Sequence, residues 1–266
     1  MSRLAPTAWS IALVVVLVLA AHVDVVMVAA AVLVVQAQIA AAPPPADARG
    51  RSVPTPKAVA TVAAGLVATI FAVRPAWLMG AEGTRAGETG VLASGTMSGL
   101  LLAVAAGVFL SLVAQMLRRD GRRDLVVSTG YAVTVTAFAA LTIGWISATN
   151  GVGGPGVVTV CAGATAAALL VWCLPLDRWI CGCLAVTAGA GGGAVATLVL
   201  DGYLLPLFGI IIGFAVGVFA VLGQVLGRAW GEGRRHAAAG WGFPGALSVA
   251  LVAPVAHLGG QLATAF

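Results

Sequence analysis

Long blocks of apolar residues dominate this chain, and short segments rich in charge, Gly and Pro separate them. A block of about 20 apolar residues is long enough to cross the hydrocarbon core of a bilayer as one α-helix. The pattern therefore predicts an all-α integral membrane protein, a bundle of about nine transmembrane helices that forms a single domain over residues 1–266. The predicted spans are 7–21, 23–41, 58–73, 91–117, 125–147, 157–174, 179–200, 203–226 and 241–264.

The first apolar block, residues 7–42, is too long for one crossing, because a helix of that length measures roughly 54 Å. His22 and Asp24 interrupt the block near its middle, so we expect two short helices joined by a tight turn. A cleaved signal peptide is the alternative, since Arg3, an apolar run and Ala20-Ala21 fit its layout loosely. The residues leave open whether the first run is cleaved.

The composition supports the membrane assignment. The chain is 61% hydrophobic and only 9% charged, whereas soluble domains contain roughly 25% charged residues. Lipid must therefore be the solvent for most of the surface, and we expect a multi-pass protein of the plasma membrane. The net charge of +5 comes from basic residues in short loops. Loops of this kind set topology and contact lipid headgroups, so we expect membrane lipids and no nucleic acid as partners.

The loop charges also predict which way the bundle faces. If the N-terminus is cytoplasmic, twelve of the fourteen Lys and Arg residues fall in cytoplasmic segments, and only Arg74 and Arg85 fall outside. Cytoplasmic loops of membrane proteins have an excess of Lys and Arg. One span more or fewer would move every later loop to the other side and remove the asymmetry. We therefore expect a cytoplasmic N-terminus and a C-terminus outside.

Acidic side chains are few, and the predicted topology puts all nine of them in loops or at span ends. Transport coupled to cations uses carboxylates within the membrane, and magnesium-dependent head-group transfer uses clustered ones. Both functions are therefore disfavoured. The four cysteines fall within or beside apolar runs, where free Cys usually serves as a small packing residue. We expect no metal and no other cofactor.

His257 is the one ionisable residue well inside a predicted span. The string from Ala256 to Gly260 resembles the catalytic-histidine motif of rhomboid proteases. That family also needs a serine nucleophile two spans earlier, and Gly191 stands at the corresponding place. Without a hydroxyl group there, no Ser–His catalysis is expected.

Two sets of residues are candidate functional positions. Basic residues at predicted cytoplasmic ends either set topology alone or contact lipid phosphates. Glycines spaced four residues apart share one helix face, which indicates either helix packing within the chain or the seam of a dimer. The candidate phosphate contacts are Arg118, Arg119, Arg122, Arg123, Arg234 and Arg235, and the candidate seam is Gly209, Gly213 and Gly217.

The layout of spans resembles that of the phosphatidate cytidylyltransferase (CDP-diacylglycerol synthase) family. Residues 221–228 fall where that family has a Gly-Asp motif, and residues 243–248 fall where its Pro-Gly-His-Gly-Gly motif begins. The resemblance implies a nine-helix membrane fold. It implies no cytidylyltransferase activity, because Gln224 replaces the family's Asp and Ala246 its His. Further ligand positions of the family read Leu251, Val252 and Pro254 here.

These observations favour a non-catalytic scaffold or accessory protein in an envelope- or lipid-related membrane process. A lipid-handling protein or degenerate enzyme on a cytidylyltransferase-like fold is the first alternative, and a small-molecule transporter is the second. Besides lipids, a second copy of the chain or another membrane protein is the expected kind of partner.

Overall fold

The computed structural model describes residues 3–45, 53, 55–74, 77, 97–118, 124–151, 153–200, 204–231 and 237–263, and ten α-helices have their bounds within these residues. The all-α class predicted from the apolar pattern is confirmed. The helices are α1 Leu4–Ala21, α2 Val25–Ala40, α3 Ala58–Val73, α4 Ser98–Met116, α5 Leu125–Leu141, α6 Gly144–Asn150, α7 Gly154–Trp172, α8 Arg178–Val199, α9 Pro206–Gly231 and α10 Ala237–Leu262.

Seven stretches of the described chain are long and apolar enough to cross a membrane. Two further apolar helices, α2 and α3, have 16 residues each and measure about 24 Å. The seven stretches are Leu4–Ala21, Gly99–Met116, Leu125–Asn150, Gly154–Trp172, Arg178–Val199, Pro206–Trp230 and Gly242–Leu262. The chain is therefore a polytopic helical membrane protein.

Contacts between helix ends sort these ends into two sets, one at each end of the bundle. At one end, the Arg3 guanidinium donates to the Trp172 carbonyl over 3.3 Å. At the other, His22 Nε2 lies 3.2 Å from Thr159 Oγ1. Successive helices therefore alternate in direction, except that α6 continues α5. We call the first end the basic end, because it holds Arg3, Lys57, Arg118, Arg178 and Arg228, and the other the opposite end.

The observed helix boundaries differ from several predicted ones. Helix α7 begins at Gly154 rather than at residue 157, because Pro155 lies at a first-turn position, where proline favours a helix start. Helix α9 continues past the predicted end at residue 226, because Gly227 serves packing rather than termination. A Cβ on Gly227 would lie 2.8 Å from Cβ of Pro244 in α10. The start of the predicted fourth span, residues 91–96, lies outside the described residues.

The predicted fifth span, 125–147, lies within a single stretch that is long and apolar enough to cross a membrane, Leu125–Asn150, and its helix is interrupted between α5 and α6. The Ala139 carbonyl would normally accept from the backbone N–H of Ile143. Instead it accepts from Gln36 Nε2 at 3.3 Å and Thr142 Oγ1 at 2.6 Å. The Ile143 N–H turns to the Ala140 carbonyl, three residues back. Side chains thus take the place of one helical hydrogen bond, and such insertions are an established cause of kinks.

Glycines set the separation between α8 and α9, the helix pair with the most extensive contact. A Cβ on Gly189 would lie 2.7 Å from the Gly213 carbonyl oxygen and 2.9 Å from Gly217 Cα. A Cβ on Gly209 would overlap Gly193. Because lipid gives no hydrophobic drive for helix association, such close backbone contact is a main source of lateral stability. The seam of Gly209, Gly213 and Gly217 thus faces α8, and a dimer would have to use another face.

Two glycines of α8 offer a matched test of this packing. Gly189→Ala inserts a methyl group between the backbones of α8 and α9 and should destabilise the fold by about 1–3 kcal/mol. Gly191→Ala makes the same change on the same helix, where a Cβ meets nothing within 4 Å, and should be neutral or slightly stabilising because Ala favours helix. Thermal unfolding in detergent measures both. Equal melting temperatures for the two variants would contradict the packing role.

Candidate functional site

Of the six arginines predicted to contact phosphate, Arg118 lies within the described residues, directly after α4. Its Nη1 donates to Gln115 Oε1, one helical turn back, over 3.0 Å. Its side chain is half-buried. The other five, Arg119, Arg122, Arg123, Arg234 and Arg235, lie outside the described residues.

A chain of buried hydrogen bonds fixes this arginine. Gln115 Nε2 donates to Ser128 Oγ over 2.8 Å, and Ser128 Oγ donates to Thr55 Oγ1 over 3.3 Å. The chain links α4, α5 and the segment before α3. Gln115 is 3% exposed and Ser128 is fully buried. Because Ser128 fixes the amide of Gln115, its Oε1 holds one terminal nitrogen of the Arg118 guanidinium in place at the basic end.

Lys57 lies at the same end, where its side chain is only 6% exposed. Its ammonium donates to the carbonyls of Ala40, at 2.7 Å, and Ala42, at the C-terminus of α2. It also lies 5.9 Å from the Tyr131 ring centroid. The carbonyl end of a helix attracts cations, so this ammonium caps α2. Burial lowers the pKa of Lys57 from 10.5 to about 8.

Arg3 has a similar capping role on α7. Its guanidinium lies 4.9 Å from the Trp172 ring centroid and donates to the carbonyls of Trp172 and Leu174 over 3.3 and 3.4 Å. Arg178, at the start of α8, is exposed. The basic end therefore contains two kinds of cation. Arg3 and Lys57 satisfy helix carbonyls, whereas Arg118 bonds a side-chain amide and Arg178 is exposed.

An aromatic cluster joins α5, α9 and α10 behind this surface. The ring centroid of Trp230 lies 5.7 Å from that of Tyr131, 5.8 Å from that of Phe138 and 6.0 Å from that of Phe243. Aromatic pairs at these separations are attractive beyond the area that they bury. The cluster fixes the end of α9, and thus Arg228, against the rest of the basic end.

Deeper in the bundle, Gln36 of α2 forms a buried polar cluster at the break between α5 and α6. Its Nε2 donates to Thr69 Oγ1 and to Thr142 Oγ1, each over 3.0 Å. A Cβ on Gly65 would lie 2.6 Å from Gln36 Oε1, so the glycine makes room for the amide. Broken helices with polar groups at this depth also form binding sites in transporters. Here the Gln36 amide is hydrogen-bonded to both threonine hydroxyls and to the Ala139 carbonyl, which ties α2, α3 and α5 together.

The positions that correspond to the cytidylyltransferase motifs lie between α1, α9 and α10. Gln224 is fully buried, and its Nε2 donates to Ser10 Oγ over 2.8 Å. A Cβ on Gly245 would lie 2.9 Å from Trp9 Cδ1. Ala246 is fully buried. These residues make helix contacts in this chain, and the kinship with that family stays a prediction.

A serine–histidine pair at the opposite end was missed from the sequence. Ser147 Oγ of α6 lies 2.7 Å from His257 Nδ1 of α10. Ser147 is 2% exposed, and His257 is half-buried. Serines inside spans usually bond their own helix backbone, so nothing local singled Ser147 out. The histidine of this string thus has a hydroxyl neighbour from a different helix, and the resemblance to the rhomboid motif stays untested.

The described acidic residues, Asp24, Asp124 and Asp177, are N-cap residues of α2, α5 and α8. Asp177 Oδ2 accepts from the Trp179 N–H over 3.0 Å. All four cysteines are free thiols, and Cys181 Sγ donates to the Val171 carbonyl over 3.2 Å. Among the residues that the structure describes, no three His, Cys, Asp or Glu side chains form a group that could hold a metal ion.

Fold and site together define a polytopic helical membrane protein with one basic end and a serine–histidine pair at the other. No family model, curated protein or solved structure matches the chain.

Proposed function

We propose that the chain is an accessory protein of a lipid- or envelope-related process in the plasma membrane, and that its basic end holds anionic phospholipid headgroups. The observation that supports this most is the hydrogen-bonded chain from Thr55 through Ser128 and Gln115 to Arg118. A guanidinium held through one of its nitrogens loses less conformational freedom on binding phosphate than a loose one, and Arg matches the geometry of phosphate oxygens.

Exposed Arg178 would add to this surface. Each cation near an anionic leaflet contributes about 1 kcal/mol to lipid attraction. Lys57 and Arg3 have a different role, since their donors are bonded to helix carbonyls. In this function Arg118 and Arg178 contact lipid, whereas Arg3 and Lys57 cap helices.

Lipid mass spectrometry of the full chain, extracted in polymer nanodiscs with its native lipids, tests this function. We expect anionic phospholipid to be enriched over the bulk membrane, and Arg118→Gln to lower that enrichment up to about fivefold, the ratio that 1 kcal/mol gives. Arg74→Gln, an exposed arginine at the opposite end, is the matched control. Absence of enrichment, or an equal loss in the control, would contradict the proposal. Proteins that remain in the same nanodiscs identify partners.

We also propose that α2 and α3 cross the membrane with the seven longer stretches, so that the chain crosses nine times. The alternation of helix ends supports this count, because α2 joins the opposite end to the basic end and α3 returns. A helix of about 24 Å can cross where the bilayer thins locally. The basic end is then cytoplasmic, since it holds the described Lys and Arg residues except Arg74.

A reporter enzyme fused after residue 266 tests this orientation. With nine crossings and a cytoplasmic N-terminus, a periplasmic-type reporter should be active there, and a cytoplasmic-type reporter should be silent. Fusion within residues 46–52 should give the reverse pattern. A C-terminal fusion that reads cytoplasmic would overturn the proposed count or orientation.

A further inference from the structure

We propose that Ser147 and His257 form the nucleophile and general base of an acyl-transfer site at the opposite end of the bundle, with carboxylic esters of membrane lipids as the substrate class. The hydroxyl and imidazole atoms are 2.7 Å apart, which is within the range in which a base activates a serine. This site is separate from the proposed lipid-binding surface at the basic end.

The pair is held by contacts that fix α6 against α10. Trp145 is fully buried, and its Nε1 donates to the Val249 carbonyl over 3.0 Å. A Cβ on Gly144 would overlap the Ala253 carbonyl, so the helices approach as closely as their backbones permit. Ser147, two residues further along α6, contacts α10 through its own hydrogen bond with His257. A nucleophile held in this way needs little reorganisation to react.

The surroundings indicate where a substrate would come from. His257 is half-buried, and its neighbour Leu258 is 56% exposed. Gly151 and Gly260, which follow the pair along the chain, lie close together: a Cβ built on Gly151 would lie 3.5 Å from Gly260 Cα. Both residues lie within about two helical turns of the helix ends. An ester group at the level of the lipid glycerol, with its acyl chain in the bilayer, fits this depth.

The reaction can be written with these two side chains and water. Ser147 Oγ bonds to the ester carbonyl carbon, and its proton passes to His257 Nδ1. When the C–O bond to the alcohol breaks, that proton moves to the departing alkoxide oxygen. Water then attacks the acyl-serine and gives its proton to the same nitrogen, which returns it to Ser147 as the carboxylic acid leaves. The mechanism requires neutral imidazole with its proton on Nε2, so the rate should rise with pH as the histidine loses its proton.

A fluorophosphonate probe on the purified full chain tests the site. The probe phosphorus forms a covalent bond with an activated serine oxygen as fluoride leaves, and peptide mass spectrometry locates the adduct. We expect an adduct on Ser147 that is lost in Ser147→Ala. His257→Asn retains a hydrogen-bonding side chain without a base, and labelling should slow about 100-fold or more, the usual contribution of a general base.

Ser111→Ala is the matched control, because its buried hydroxyl has no hydrogen-bond partner among the described residues and its removal should alter neither fold nor labelling. Melting temperatures of all variants establish that they are folded. No adduct on Ser147 in the folded wild-type chain, or an equal labelling rate in His257→Asn, would overturn the proposal and leave the pair as a tie between α6 and α10. Lipid enrichment at the basic end is measured separately, so each proposal can fail without the other.

Discussion

The carbonyl oxygen of Ala139 accepts hydrogen bonds from the side chains of Gln36 and Thr142 instead of from its own helix. Much of the architecture near the opposite end depends on this exchange. In hydrocarbon, a backbone group released from a helix must find another partner, and the amide of α2 provides one. Helix α5 therefore ends, and α6 starts in a new direction. That direction brings the Trp145 indole to α10 and Ser147 to His257.

The rest of the bundle follows the same constraint, that polar atoms within the membrane must be satisfied by protein. Between α8 and α9, glycines let the backbones meet directly, so packing replaces the hydrophobic drive that lipid cannot supply. At the basic end, Lys57 and Arg3 satisfy the last carbonyls of α2 and α7. Their charge thereby stabilises the fold, whereas Arg118 is hydrogen-bonded through its guanidinium to Gln115. The two ends thus differ in chemistry: one holds the described arginines except Arg74, and the other holds the serine–histidine pair.

The sequence predicted the parts of the fold that depend on local pattern. Apolar blocks located the helices, and His22 and Asp24 marked the turn between α1 and α2. The four-residue spacing of Gly209, Gly213 and Gly217 identified a helix face, because such spacing is a property of one helix. The spacing does not show which helix packs against that face; in the structure it is α8.

Features that depend on distant residues were not predictable. Thr142 and Ile143 lie in a continuous apolar run, so nothing local indicates a break, and the decisive amide is over a hundred residues away. Ser147 and His257 are likewise more than a hundred residues apart in the sequence. The histidine motif points to one position in α8, Gly191, whereas the fold brings the Ser147 hydroxyl to His257 from α6. The loop arginines could be chosen by charge, but the buried Gln115 and Ser128 that order Arg118 could not.

The most direct test of this account is cross-linking between positions 147 and 257 in native membranes. Ser147→Cys and His257→Cys are combined in a chain that lacks its four natural cysteines, and bridging by mercuric ion is compared with and without Gln36→Leu. Leucine cannot donate to the Ala139 carbonyl, and Thr142→Val, made together with it, removes the second side-chain donor, so α5 should regain its regular hydrogen bond and turn residue 147 away from α10. The account predicts rapid bridging with Gln36 and much slower bridging with leucine. Equal bridging in both, or none with Gln36, would contradict it.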